Sequence, residues 1–234
     1  GVTWSHALGS LPLELHPPTL LLGGGIARQR SAALSADAAT LRPVRQIDEG
    51  TFGWVEVGLE TGSPSKGLFT RTSARVGFRE GRSWLAPRLH AAWRTPVIPG
   101  ACSHVIDLDA GWTSDDAPSQ ELFLLGGRET LPGHDYRSSG GDAFGLVRVR
   151  SGRAVWAPWV SAHVIGAVGW IDDVGDQSVP ADWAADDDLG DVRASLGVGV
   201  DLLWEALRLD VARGFPVGEW ELVFSVRPDF RAWL

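Results

Sequence analysis

The chain has 234 residues, enough to bury the core of one large β domain, with 29 Gly, 12 Trp, a mean hydropathy near zero and a formal charge of -8 from 29 acidic against 21 basic residues. These figures exclude a helical membrane protein, because no window of ~18 apolar residues runs uninterrupted; the nearest stretch, 11–27, is broken by Glu14, His16, Pro17-Pro18 and Gly23 to Gly25. They also argue against nucleic acid as a partner, which needs clustered Lys and Arg, and the lone Cys102 rules out an intrachain disulfide or a cysteine metal site.

Twelve Trp beside one Tyr is an unusual aromatic set. An indole has an apolar body and one N–H, which suits a membrane interface, although a Trp-rich β-sandwich core uses the same residue. Neither an initiating Met nor a signal peptide is present, so Gly1 is expected to begin a processed chain or a piece of a longer one.

Residues 1–50 are the least patterned. The run 19–28, interrupted by Gly23 to Gly25, reads as one kinked strand, and 35–44 as a second strand or a short helix. From Thr51 the period becomes two. Over 52–60, Val55, Val57 and Leu59 point one way and Trp54, Glu56, Gly58 and Glu60 the other. After the turn at 62–65, Leu68, Thr70, Thr72, Ala74, Val76 and Phe78 oppose Phe69, Arg71, Ser73, Arg75, Gly77 and Arg79. Glu80-Gly81 turns the chain into 84–95, where Leu85, Leu89, Ala91 and Trp93 oppose Arg88, His90 and Arg94. Past Pro96, Pro99 and Gly100, the stretch 103–112 sets Ile106, Leu108, Ala110 and Trp112 against Val105, Asp107, Asp109 and Gly111.

These alternating runs last ~9 to 13 residues, the length that crosses a bilayer at a ~45° tilt, whereas strands of soluble sheets average ~5 to 6. Their polar faces carry charge in blocks of one sign per strand: Glu56 and Glu60, then Arg71, Arg75 and Arg79, then Arg88 and Arg94, then Asp107 and Asp109. Neighbouring strands of opposite charge can pair across a polar interior. The bland alternative is a solvated sheet face with weak cross-strand ion pairs.

The stretch 120–150 reads as a strand, a glycine-punctuated loop at 126–142 and a second strand. Its segment LGGRETLPG, followed by His134, Tyr136 and Arg137, resembles the sixth-loop motif of the bacterial surface antigen superfamily, the BamA-like assembly barrels and two-partner secretion transporters of outer membranes. Leu125, Gly126, Gly127, Leu131 and Gly133 fall in register with that motif. Pro132 stands where the family has its arginine and His134 where it has an aromatic, with Tyr136 and Arg137 able to supply those groups slightly later. The resemblance implies that this loop folds back into a barrel lumen, where the family arginine meets an aspartate on a strand two further on. The matching position here is Gly166, so both halves of that pair are missing. Arg137, Asp135 or Arg128 against Asp201 or Asp210 is the expected substitute.

After the loop, Val147 and Val149 oppose Arg148 and Arg150; Ser151-Gly152 reads as a tight turn and 155–170 as a long apolar strand. Eight aspartates crowd 172–191 without the ligand spacing of a calcium loop, so a solvated acidic loop is expected. Then 192–202 alternates Val192, Ala194, Leu196, Val198, Val200 and Leu202 with Arg193, Ser195, Gly197, Gly199 and Asp201; Leu207, Leu209 and Val211 oppose Arg208 and Asp210; and Trp220, Leu222, Phe224, Val226 and Phe230 oppose Glu219, Glu221, Ser225, Arg227 and Asp229. Tight turns near Gly81, Gly152 and Glu205, against long connections at 126–142 and 172–191, fit short turns on one barrel rim and long loops on the other. The closing strands also resemble the end of the surface antigen family, so the likeness spans roughly residues 51–234.

His104 and His163 are assigned to outward faces and His90 to an inward one. Ser161 and His163 share a face, but no third group orients them, and nucleophile-elbow, phosphate-loop and zinc motifs are absent; no enzyme and no cofactor is expected.

The expected fold is all-β: an antiparallel transmembrane β-barrel in the outer membrane of a Gram-negative bacterium, with ~10 to 12 strands, complete or the C-terminal part of a larger barrel. Lumen-facing charges are assigned to Glu56, Arg71, Arg75, Arg88, Arg94, Asp107, Asp109, Asp201 and Asp210. The resemblance implies insertion or secretion of polypeptide, with outer-membrane lipid, polypeptide clients and periplasmic accessory proteins as partners. A passive or structural pore and a soluble β-sandwich binding module are the alternatives.

Overall fold

The computed structural model describes residues 2–7, 17–29, 50–64, 66–95, 102–135, 139–157, 159–173, 192–203 and 206–226. Its strands are β1 (Val2–Ala7), β2 (Thr19–Gln29), β3 (Gly50–Ser63), β4 (Lys66–Arg79), β5 (Arg82–Arg94), β6 (Cys102–Trp112), β7 (Phe123–Leu125), β8 (Ser139–Trp156), β9 (Val160–Asp173), β10 (Val192–Leu202), β11 (Leu207–Phe215) and β12 (Trp220–Val226). Each pairs antiparallel with the next in sequence, except that β6 pairs β8 and the short β7 adds only to β8. Among the described residues no pairing joins β1 to β12. The first fifty residues thus supply β1 and β2, whereas the stretch read at 35–44 and the aspartates from 174 to 191 lie outside the described residues.

Register fixes which side chains share a face, because opposed residues point the same way. Glu56 opposes Arg75, Arg75 opposes Ala86, Arg88 opposes Gly111, and Asp107 opposes Arg148. Arg148 opposes Ala167, Ala167 opposes Ser195, Asp201 opposes Arg208, and Asp210 opposes Val223. One face therefore runs unbroken from β3 to β12 and carries the charges. The opposite face carries Val55, Val57, Leu68, Val76, Leu85, Trp93, Ile106, Val147, Val168, Leu196, Val198, Val211, Leu222 and Phe224, all exposed. Two turns depart from expectation. Ser151 and Gly152 sit inside β8, opposite Val164 and His163, and the chain reverses only at Trp159, whose N–H bonds the Trp156 carbonyl at 2.7 Å. The Glu80-Gly81 turn lies on the same rim as the long connections of residues 113–138 and 174–191, not on the short-turn rim.

Burial lies on the charged face, not between layers. A first cluster of Phe123, Leu125, Leu131, Leu146, Ala167 and Ile171 joins the connection between β6 and β8 to the floor of β8 and β9. A second holds Phe52, Trp84 and Ala86, with the Trp84 indole lying over Gly77, where any Cβ would collide with the ring.

Candidate functional site on the charged face

The segment between β6 and β8 begins with a single 3-10 turn, Ser119–Glu121, continues through β7 and then folds back on itself. Gly127 anchors the fold-back: its carbonyl accepts the N–H of Thr130 at 3.0 Å and of Leu131 at 2.9 Å, while its own N–H bonds the His134 carbonyl at 3.0 Å. The Gly126 N–H bonds Thr130 Oγ1 at 2.9 Å. Gly127 needs its positive φ of 87° for this, a conformation that glycine adopts without a Cβ penalty.

Four sets of contacts hold this loop to the sheet. Leu131 is fully buried among Leu125, Leu146 and Ala167. Gly133 touches the far strands: its N–H donates to Glu221 Oε2 at 2.7 Å, and its carbonyl accepts the Glu219 N–H at 2.8 Å. With φ at 83° and the Gly214 and Glu219 backbones beside its Cα, no side chain fits there. His134, 7% exposed, donates from Nε2 to the Ala194 carbonyl at 2.9 Å. On the near side Arg148 Nη1 donates to the Glu129 carbonyl at 2.7 Å.

Around the loop the charges form a connected network. Arg75 bridges Glu56 at 2.8 Å and Glu121 at 3.0 Å, and Arg88 reaches the same Glu121 at 3.2 Å. Arg71 pairs with Glu60. Asp109 accepts from His90 Nδ1 at 2.7 Å and from Arg148 Nη2 at 2.8 Å, and Arg94 lies 3.7 Å from Asp107. The most enclosed group is on β9 to β11. His163, its side chain 2% exposed, donates from Nε2 to Asp210 Oδ1 at 2.7 Å and sets Nδ1 3.1 Å from Asp201 Oδ2. Arg208 Nε closes the group on Asp201 Oδ1 at 2.7 Å, with Ser161 Oγ 3.5 Å from Asp201 Oδ2.

Glu56, Arg71, Arg75, Arg88, Arg94, Asp107, Asp109, Asp201 and Asp210 therefore lie on one face, each in contact with an opposite charge or a histidine. Of the loop positions, Gly126, Gly127, Leu131 and Gly133 form the fold-back and its docking, while Tyr136 and Arg137 lie outside the described residues. Asp201 and Asp210 are engaged by His163 and Arg208, and among the described residues of the loop none reaches them; the distal anchor there is Glu221. Gly166 is on the apolar face of β9, so it cannot stand in for an aspartate facing the loop. His163 is on the charged face, contrary to the outward assignment, because β8 runs on through Gly152 and fixes the register of β9. Sequence reasoning also missed Glu121, which sits in a non-periodic connection, and Glu221 as an anchor, although its place on the polar side of the last strand was legible.

Two hollows flank the loop. One lies under the loop toward the short-turn rim, with a volume of about 810 Å³ and Arg94, Arg148, Arg150 and Arg208 on its wall. The other lies against the ends of β11 and β12, about 910 Å³, beside Gly133, Arg193 and Trp220.

No family model matches the chain, and no curated protein matches it. Among solved structures, CdiB from Acinetobacter baumannii is similar at a TM-score of 0.65 and 13% sequence identity. The likeness covers 95% of this chain and 40% of that one, so the chain spans less than half the length of the structure it matches. At that identity the resemblance is one of fold: an all-β antiparallel sheet arranged as in the CdiB barrel.

Proposed function

We propose that the chain is an outer-membrane β-barrel transporter of the two-partner secretion kind, moving polypeptide through a lumen lined by its charged face. The observation that carries this reading is the division of the sheet. One face exposes Val57, Val76, Leu89, Ile106, Val164, Val198 and Leu222, and the other holds the ion-pair network and the docked loop. In water an apolar face this wide invites aggregation; in a bilayer it meets lipid, and the strand lengths suit that setting. β3, β4 and β9 have 14 residues each and β10 has 11, against the ~9 to 11 that cross a bilayer at a 45° tilt. Trp93, Trp112 and Trp170 lie near strand ends on the same face, where an indole meets the headgroup level.

In this reading the barrel closes, because an open sheet edge is not tolerated in hydrocarbon. The loop from residue 113 to 138 occupies the lumen and limits passage, and the fold shared with CdiB supports a polypeptide as the cargo. Outer-membrane lipid is then the partner of the apolar face.

Refolding with and without detergent micelles, read by gel mobility before and after boiling and by β-sheet circular dichroism, tests this reading. Detergent-dependent folding with a heat-modifiable band is expected. Cooperative folding in plain buffer refutes the membrane barrel, and ion conductance without export of polypeptide would favour a passive pore.

A further inference from the structure

The hollow under the loop has a chemistry that the ion-pair network does not use up. It lies between the roof formed by Arg128 to Pro132 and the short-turn ends of β5, β6, β8 and β11, with a volume of about 810 Å³. A space of that size accommodates a small ligand or a few residues of a peptide.

Arg94, Arg148 and Arg208 on its wall each face one carboxylate, Asp107, Asp109 and Asp201 respectively, and the lining Asp210 is engaged by His163. Arg150 is different. It sits on the charged face of β8 opposite Val105 and Ile165, and it makes no hydrogen bond or ion pair among the described residues. Moreover, three guanidinium nitrogens of this wall, Arg148 Nε, Arg150 Nη1 and Arg208 Nη2, are shut off from solvent without an acceptor. Unmatched donors of this kind are rare; closed to solvent, they meet an oxyanion in the hollow only if their side chains turn, whereas Arg150, half-buried on the wall, faces the hollow with no counter-charge among the described residues. Planar guanidinium forks match the oxygens of a carboxylate or phosphate.

We infer that this hollow is an oxyanion-binding site centred on Arg150, taking a carboxylate or phosphate group that enters from the short-turn rim. It rests on the barrel reading only in making the hollow part of a lumen; the binding itself belongs to the charged face. If the oxyanion is a side chain of the cargo, the site selects acidic segments on the side opposite the long loops.

The test is calorimetric titration of the full chain, in the medium in which it folds, with inorganic phosphate and separately with a short glutamate-rich peptide. Wild type is compared with Arg150→Gln and Arg150→Lys, and circular dichroism checks that the fold is kept. Saturable binding of one or both probes is expected, weakened about tenfold by Arg150→Gln and largely retained by Arg150→Lys. Binding of phosphate alone assigns a free anion; binding of the peptide alone assigns polypeptide carboxylates. No saturable binding of either probe overturns the inference, as does equal binding by the Gln variant. Because Arg150 has no hydrogen-bond or ion-pair partner among the described residues, Arg150→Gln is expected to keep the fold, which the circular dichroism checks. Heat-modifiable mobility, read on the same samples, reports separately on the barrel.

Discussion

Replacing Leu131 by Ala isolates what holds the loop in place. The Leu131 side chain has no solvent exposure and packs on Leu125, Leu146 and Ala167, with its Cδ1 over Gly169. Truncating a buried leucine to alanine typically costs about 2–5 kcal/mol, the lower end where the site collapses and the upper where a cavity persists. Here the floor is stiff sheet backbone at Gly169 beside Ala167, whose methyl is too short to fill the gap, so collapse is limited. The polar anchors at Gly133, Glu219 and Arg148 remain, and charge-assisted bonds such as those of Glu221 and Arg148 contribute about 1.5–3 kcal/mol each. The loop therefore stays docked on average but opens far more often. A cost of 2 kcal/mol corresponds to roughly 30-fold more frequent opening, and that factor is the minimum expected in the exchange rates of the Leu131 and His134 amides, which bond within the fold-back. Hydrogen exchange followed by mass spectrometry reads this directly. Unchanged loop exchange would refute the docking argument. Equal acceleration in β3 and β4, which lie beyond β5 and β6 from the Leu131 cluster, would show that Leu131 supports the whole sheet and not the loop.

His163→Ala leaves Asp201 and Asp210 enclosed with Arg208 as their ion-pair partner among the described residues, and a loss of about 3–5 kcal/mol is expected in denaturant unfolding; a loss under about 1 kcal/mol would mean that water already screens the group. Glu221→Ala removes the acceptor of the Gly133 N–H, and roughly tenfold faster exchange at Gly133 is expected with little change in global stability. Leu196→Arg separates lipid from water on the apolar face: Leu196 is 63% exposed in the middle of β10, so the change should cost about 2–4 kcal/mol in a bilayer but within ~0.5 kcal/mol on a solvated sheet. Gly133→Val is expected to undock the loop altogether, seen as new protease cleavage between residues 126 and 135, because the Gly214 and Glu219 backbones leave no room for a side chain.

The strands and their faces were readable wherever one side of the sheet was charged and the other apolar. Glu56, Arg75, Arg88 and Asp107 announce the polar side of β3 to β6 because alternation is a local property of an extended chain. β9 broke the pattern. Its charged-face positions include Ala167, Gly169 and Ile171, apolar because the loop cluster of Leu125 and Leu131 rests on them, so both faces of the strand look alike in sequence. That sameness hid the inward direction of His163 and let Ser151-Gly152 pass for a turn. The loop motif was similarly half legible. Gly127 and Gly133 marked positions of positive φ, but nothing near them in sequence pointed to Glu221 and Glu219, which come from the last strand and the turn before it.

By itself, then, the sequence determined an all-β chain of long alternating strands, the direction of most of its side chains, and a glycine-punctuated loop between β6 and β8, since these follow from backbone geometry over a few residues. Only the tertiary structure decided the partners: that Glu121 joins Arg75 to Arg88, that Asp201 and Asp210 enclose His163, that Arg150 has no counter-charge among the described residues, and that the loop rests on β8 and β9 while reaching β12. Those pairings depend on register and on segments distant in sequence meeting over one sheet face, and no periodicity within a strand encodes which carboxylate a given arginine will find.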